Sequence, residues 1–111
     1  MLTIDLEYKF EILYVRLKGN LNKRTSYKIN NYLAPLILKH KIKYLVYNCE
    51  NLKEIDNSGV DAIISTKYLI RNNKGKIKIC NLNNKLKDIF KRIKISSIDN
   101  EDCAVTLMEA R

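Results

Sequence analysis

The feature that most constrains this chain is a change in hydrophobic period along it. Leu2, Ile4 and Leu6 alternate with Thr3, Asp5 and Glu7, the period of two that buries one face of an extended segment. Ile12 to Lys18 repeats the pattern, with Ile12, Tyr14 and Arg16 against Leu13, Val15 and Leu17. The polar break near Lys9 joins the two runs as an antiparallel hairpin, and Gly19-Asn20 ends the second. The period then lengthens. Ile29, Leu33, Leu36 and Ile37 fall at helical spacing within Thr25 to His40, with Thr25 or Ser26 as cap and Pro35 predicting a kink.

Beyond that point strands and helices alternate. Tyr44-Leu45-Val46-Tyr47 is a short apolar run expected to be a central strand buried on both faces. Asn48 to Asn57 is expected as a polar loop. A helix follows from about Ser58 to Asn72, with Val60, Ile63, Ile64, Tyr68 and Leu69 inward, and Asn72-Asn73-Lys74-Gly75 stops it. Ile77 and Ile79, with Cys80, form another strand. Asn83 or Asn84 caps a helix through Arg92. Ile95 to Ile98 is a short edge segment, and Asp99 to Met108 a final helix. The expected fold class is α/β: a four- to five-stranded mixed sheet with an N-terminal β-hairpin and about four helices, in a single domain spanning 1–111.

Composition closes several chemistries. The chain has three well-separated cysteines (Cys49, Cys80, Cys103), no CxxC pair and one histidine, His40. Neither a closed zinc site nor a histidine-based triad has a local scaffold. No general-base constellation or phosphate-cradling glycine loop can be assembled, so no enzymatic activity is expected. Free thiols suit a reducing compartment. The apolar runs are too short to span a bilayer and no signal peptide is visible, so the chain is expected to be cytoplasmic without membrane association. Cys80, Phe90, Tyr44 and Tyr47 are expected as packing residues, Cys49 as partly exposed in its loop, and His40 as a helix-end residue.

The net charge of +9 admits an anionic partner. A compositional cause competes, because the 16 Lys, 13 Asn, 15 Ile and 7 Tyr share AT-rich codons. Ser65 to Lys94 nonetheless holds ten basic residues against one acid, Asp88. Without a recognition motif or interleaved aromatics beyond Tyr68 and Phe90, direct nucleic-acid binding is not expected.

The stretch with most chemical content is Glu54-Ile55-Asp56-Asn57-Ser58-Gly59-Val60-Asp61, between a strand and a helix, the edge where ligands bind in α/β sheets. Ser58 lies at the first helical turn, where backbone amides lack partners. A phosphate there would meet free donors and the positive end of the helix dipole, opposed by Asp56 and Asp61. On local chemistry alone, Ser58 serves equally as an N-cap with Asp61 three residues on, or Asp56 caps instead.

Taken together, Ile4-Asp5-Leu6, Val15-Arg16-Leu17-Lys18-Gly19-Asn20-Leu21-Asn22, Leu45-Val46-Tyr47-Asn48, Ile79-Cys80-Asn81 and Lys87-Asp88-Ile89-Phe90 resemble, in order and spacing, the STAS domain of bacterial anti-sigma factor antagonists. The most specific piece is Ile55-Asp56-Asn57-Ser58-Gly59-Val60, similar to that family's Met-Asp-Ser-Ser-Gly-Leu signature. The resemblance implies the STAS fold and a phosphorylation switch at Ser58. The unphosphorylated protein would bind an anti-sigma factor that is also a serine kinase, freeing the sigma factor. Phosphorylation would block binding, and a PP2C-type serine phosphatase would reset the switch. The kinase brings ATP and magnesium, so this chain needs no cofactor. The implied partner-binding residues are Asn20, Asn22, Asp56, Asn57, Ser58 and Gly59. Two features depart from the family: its Gly-Glu-Leu-Asp loop is Gly19-Asn20-Leu21-Asn22 here, and Asn57 replaces the first signature serine. A second reading is a non-phosphorylated STAS scaffold or accessory subunit of a transporter or stress-signalling complex.

Overall fold

The computed structural model describes residues 1–105. One five-stranded sheet organises them, with β1 (Leu2–Lys9), β2 (Ile12–Leu21), β3 (Tyr44–Ile55), β4 (Lys76–Cys80) and β5 (Ser97–Ile98) side by side in chain order. β1 and β2 are antiparallel and every later pair is parallel. The hairpin turns on Phe10 and Glu11, both at positive φ (54° and 66°), as a tight two-residue turn between right-twisted strands requires.

Three α-helices connect the strands: α1 (Ala34–His40), α2 (Asn57–Asn72) and α3 (Lys87–Ile93). They cover one sheet face. Leu13, Val15, Leu17, Leu45, Tyr47, Ile77 and Ile79 point into that core and meet Ile29, Leu33, Ile37, Ile63, Ile70, Phe90 and Ile93. The alternate residues Ile12, Tyr14, Val46 and Cys80 form a smaller core on the opposite face, closed by Ile98 and Ala104. Strands buried on both faces explain the continuous apolar runs.

Several expectations change. The segment 48–57 is not a loop, because β3 continues to Ile55 alongside the far half of β2. Arg16 pairs with Asn48 but Lys18 with Asn51, and Gly19 with Leu52 but Asn20 with Glu54. Each step inserts an extra residue in β3, and such bulges break the period-two pattern. Cys49, expected partly exposed, is consequently fully buried. Tyr68 is 56% exposed rather than inward; the buried stripe of α2 is Gly59, Ala62, Ile63, Thr66 and Ile70, and Tyr68 lies off it.

The kink expected at Pro35 takes a definite form. A π-helical turn, Ile29–Leu33, runs directly into α1, and the Ala34 amide donates to the Ile29 carbonyl five residues back. The wide turn ends where Pro35 occupies the first turn of α1, a position whose amide needs no intrahelical partner. Neither Thr25 nor Ser26 caps this helix, since no side chain does. Asn83 does cap the turn before α3, its Oδ1 accepting from the Leu86 amide at 3.0 Å. The expected last helix begins as a single 3₁₀ turn, Glu101–Cys103, and its part beyond Val105 lies outside the described residues. Among the described residues no helix is long and apolar enough to cross a membrane.

Candidate functional site

β3 delivers the chain to the mouth of α2, where Asp56, in an extended conformation, is the N-cap. Its Oδ1 accepts from the Gly59 amide at 3.0 Å and its Oδ2 from the Lys23 amide at 3.0 Å. One carboxylate thus satisfies an orphan donor of the helix and a donor of the loop after β2. The Asp56 amide donates to the Leu21 carbonyl at 3.1 Å, so loop and helix mouth are tied in both directions.

The loop has its own internal ties. The Asn22 amide donates to Thr25 Oγ1 at 2.9 Å, and Asn22 Oδ1 accepts from the Arg24 amide at 2.9 Å. Thr25 Oγ1 donates to the Asn20 carbonyl at 2.8 Å. Thr25 therefore holds the loop rather than starting a helix. The fold brings Asn20 and Asn22 beside Asp56–Gly59, which are more than thirty positions away in sequence, because Asn20 pairs with Glu54 and Leu21 with Ile55 across β2 and β3.

Since Asp56 performs the capping, the Ser58 hydroxyl has no capping duty. Ser58 sits half-buried on the first turn, with Asp56 and Asn57 exposed beside it. Gly59 is buried against the loop: a Cβ there would stand 2.6 Å from the Leu21 carbonyl oxygen and 2.8 Å from Ile55 Cγ1. Only a residue without a side chain lets α2 approach β2 this closely. Further along α2, Thr66 Oγ1 donates to the Ile63 carbonyl at 2.7 Å and lies 2.7 Å from the Tyr47 hydroxyl. The single Thr66 proton is committed to Ile63, so Tyr47 is the donor. This buried bond fixes the rotation of α2 over β3, and with it the direction in which Ser58 faces.

The expectation of free amides around a phosphate is corrected in part, because the Gly59 amide is taken by Asp56. Two contributors escaped the sequence reading. Lys23 acts through its backbone, which carries no side-chain signal. Thr25 looked like a helix cap because hydroxyl residues before an apolar periodic run usually are. Among the described residues, no group of three His, Cys, Asp or Glu side chains is placed to hold a metal ion.

Comparison with known proteins agrees with this fold. A family profile described as STAS domain matches residues 3–110. An anti-sigma F factor antagonist of Paenibacillus polymyxa is 31% identical over 112 residues, covering 97% of this chain and 96% of that protein. The anti-sigma factor antagonist SpoIIAA in its unphosphorylated form superposes with a TM-score of 0.81 at 20% identity, over 98% of this chain and 100% of that one. The Bacillus cell fate determinant SpoIIAA in its phosphorylated form gives 0.79 at 20% identity, over 95% and 98%. At that identity the two structures speak for the fold.

Proposed function

This chain belongs to the STAS domain family, and from that premise we propose that it is an anti-sigma factor antagonist switched by phosphorylation of Ser58. The observation that carries the reading is the division of labour at the mouth of α2. Asp56 caps the helix, which leaves the half-buried Ser58 hydroxyl available for chemistry on a surface shared with Asn20, Asn22, Asp56 and Asn57, whereas Gly59, expected among the partner-binding residues, is buried beneath it.

In the unphosphorylated state this surface binds an anti-sigma factor that is also a serine kinase, and the sigma factor is released. The kinase transfers a phosphoryl group to the Ser58 oxygen, adding about −1.5 to −2 charges. Two effects follow. The interface acquires a charge whose burial without a matched partner is costly. The same charge sits at the helix mouth already held by the Asp56 carboxylate, and repulsion there loads the bond from Asp56 to Lys23. A PP2C-type phosphatase returns the surface to its binding state. Asn20 and Asn22, neutral amides, offer the partner hydrogen bonds without the negative field of an acidic loop.

Incubation with the cognate kinase and ATP, followed by mass spectrometry, tests the reading. One phosphate on Ser58, absent from Ser58→Ala, is expected. Ser58→Asp should weaken binding to the kinase about a hundredfold, whereas Ser58→Ala should bind constitutively. An active kinase that leaves Ser58 unmodified overturns the switch.

A further inference from the structure

A groove lies on the far half of α2, between that helix, the start of β4 and the segment after α3. Lys67 and Arg71 of α2, Lys76 and Lys78 of β4, and Lys94 at the end of α3 line it together with Ser96. Its volume is about 420 Å³, and among the described residues no carboxylate lines it. The ion pairs found among the described residues all belong to Lys9 or Arg16 on the first two strands, so none of the described acids pairs with these five cations. Counting 1.5 Å per residue along the helix, Arg71 stands about 20 Å from Ser58, so this groove is separate from the helix mouth.

Two of the cations, Lys67 and Lys78, are held by hydrogen bonds, and Arg71, Lys76 and Lys94 are exposed. Lys67 Nζ donates to the Ile93 carbonyl at 2.9 Å, covering the negative end of α3. Lys78 Nζ donates to Ser96 Oγ at 2.7 Å. Lys94 adopts the left-handed conformation (φ 59°) that ends α3, which turns the chain along the groove. The Lys67 ammonium is pulled below its ordinary value, first by partial burial and then by the positive fields of Arg71 and Lys94. Like charges gathered without a counterion store repulsion that a bound anion relieves.

We propose that this groove binds a chain of linked phosphates, either free as inorganic polyphosphate or carried as the tail of a larger molecule. The anion must be dense, because five cations face one small concavity. A carboxylate-bearing peptide spreads its charges over alternate sides of an extended backbone. Linked phosphates concentrate theirs and accept several charge-assisted hydrogen bonds at once. Recognition is of phosphate rather than of a base, since no aromatic residue lines the groove to stack one.

Titration of the ¹⁵N-labelled protein with sodium tripolyphosphate at physiological ionic strength tests this. Shifts confined to the groove, at Lys67, Arg71 and residues 75–78 and 94–96, are expected. Lys67→Gln with Arg71→Gln should weaken binding about tenfold or more. Lys39→Gln with Lys85→Gln, an equal loss of charge outside the groove, should leave it unchanged. Both pairs should keep the amide spectrum of the folded protein outside the substituted positions, which separates a binding defect from a folding defect. Tighter tripolyphosphate than ATP assigns the free chain, equal affinity assigns a carried tail, and tighter ATP, which needs contacts beyond the phosphates, overturns the proposal. Shifts spread over every lysine-bearing surface, equal affinity for orthophosphate, tighter binding of a single-stranded oligonucleotide, or an indifferent Lys67/Arg71 double variant each overturn the proposal.

Discussion

At the residue scale, the mouth of α2 depends on two side chains with opposite virtues, one that must be present and one that must be absent. Asp56 serves two amide donors at once. Asp56→Ala removes the cap and frees the loop amide of Lys23, and should cost about 1–2 kcal/mol, read as a lower urea midpoint with an unchanged slope. Gly59→Ala places a methyl within 2.6 Å of a backbone oxygen and 2.8 Å of two side chains. Backbone cannot rotate aside, so α2 must lift from β2, at a cost of about 1–3 kcal/mol. Because the lift moves Ser58 with the helix, the proposed switch requires that modification of Ser58 by the kinase slow as the thermal midpoint falls. A variant as stable as the parent would show that the helix mouth has room to spare.

At the scale of elements, Arg16 joins the outer sheet face to the chain after β5. Its Nε and Nη2 reach the two Glu101 oxygens at 2.9 and 2.7 Å, while Nη1 and Nη2 also reach Asp5 and Glu7. Asn48 Nδ2 donates to the same Glu101 carboxylate at 2.8 Å. Hydrogen bonds from Arg16 hold the Glu101 carboxyl below its ordinary value, against the opposing effect of burial. A carboxyl lowered by folding contributes stability that is complete above its unfolded value and lost as pH falls through its folded value. The protection of the Ala104 and Val105 amides, their exchange relative to the unfolded chain at the same pH, should therefore be high near neutrality and fall below about pH 4. In Arg16→Gln it should be low at both, with a stability loss of about 1–2 kcal/mol. How far such elements were legible differs by kind. The hairpin, β4 and the stripe of α2 carry regular periods, and the periods told the fold. The second half of β3 did not, because its two bulges scramble the alternation. The π-helical turn was visible only as a proline in the wrong place, since a widened turn leaves no residue pattern of its own. At the candidate site, Asp56, Ser58 and Gly59 could be read as side chains, whereas the ties through the Lys23 amide and Leu21 carbonyl are backbone and pass unseen.

At the scale of the whole molecule, 21 basic residues face 12 acidic ones, and Arg16 takes three of those acids for itself. What remains is a surface dominated by mutual repulsion among lysines. Screening should outweigh the weakening of the Arg16 cluster, so the thermal midpoint should rise by about 2–4 °C between 10 and 300 mM sodium chloride; a fall would mean that the attractive cluster governs instead. The sheet has a further consequence. Its strands lie in space in the order in which they occur along the chain, so no strand has to be threaded between two others already in place. A ribosome releasing this polypeptide from its N-terminus hands over each new edge just after the one that receives it. Assembly can then proceed strand by strand, and the helix that carries Ser58 docks once β3 has emerged, before the last two strands exist.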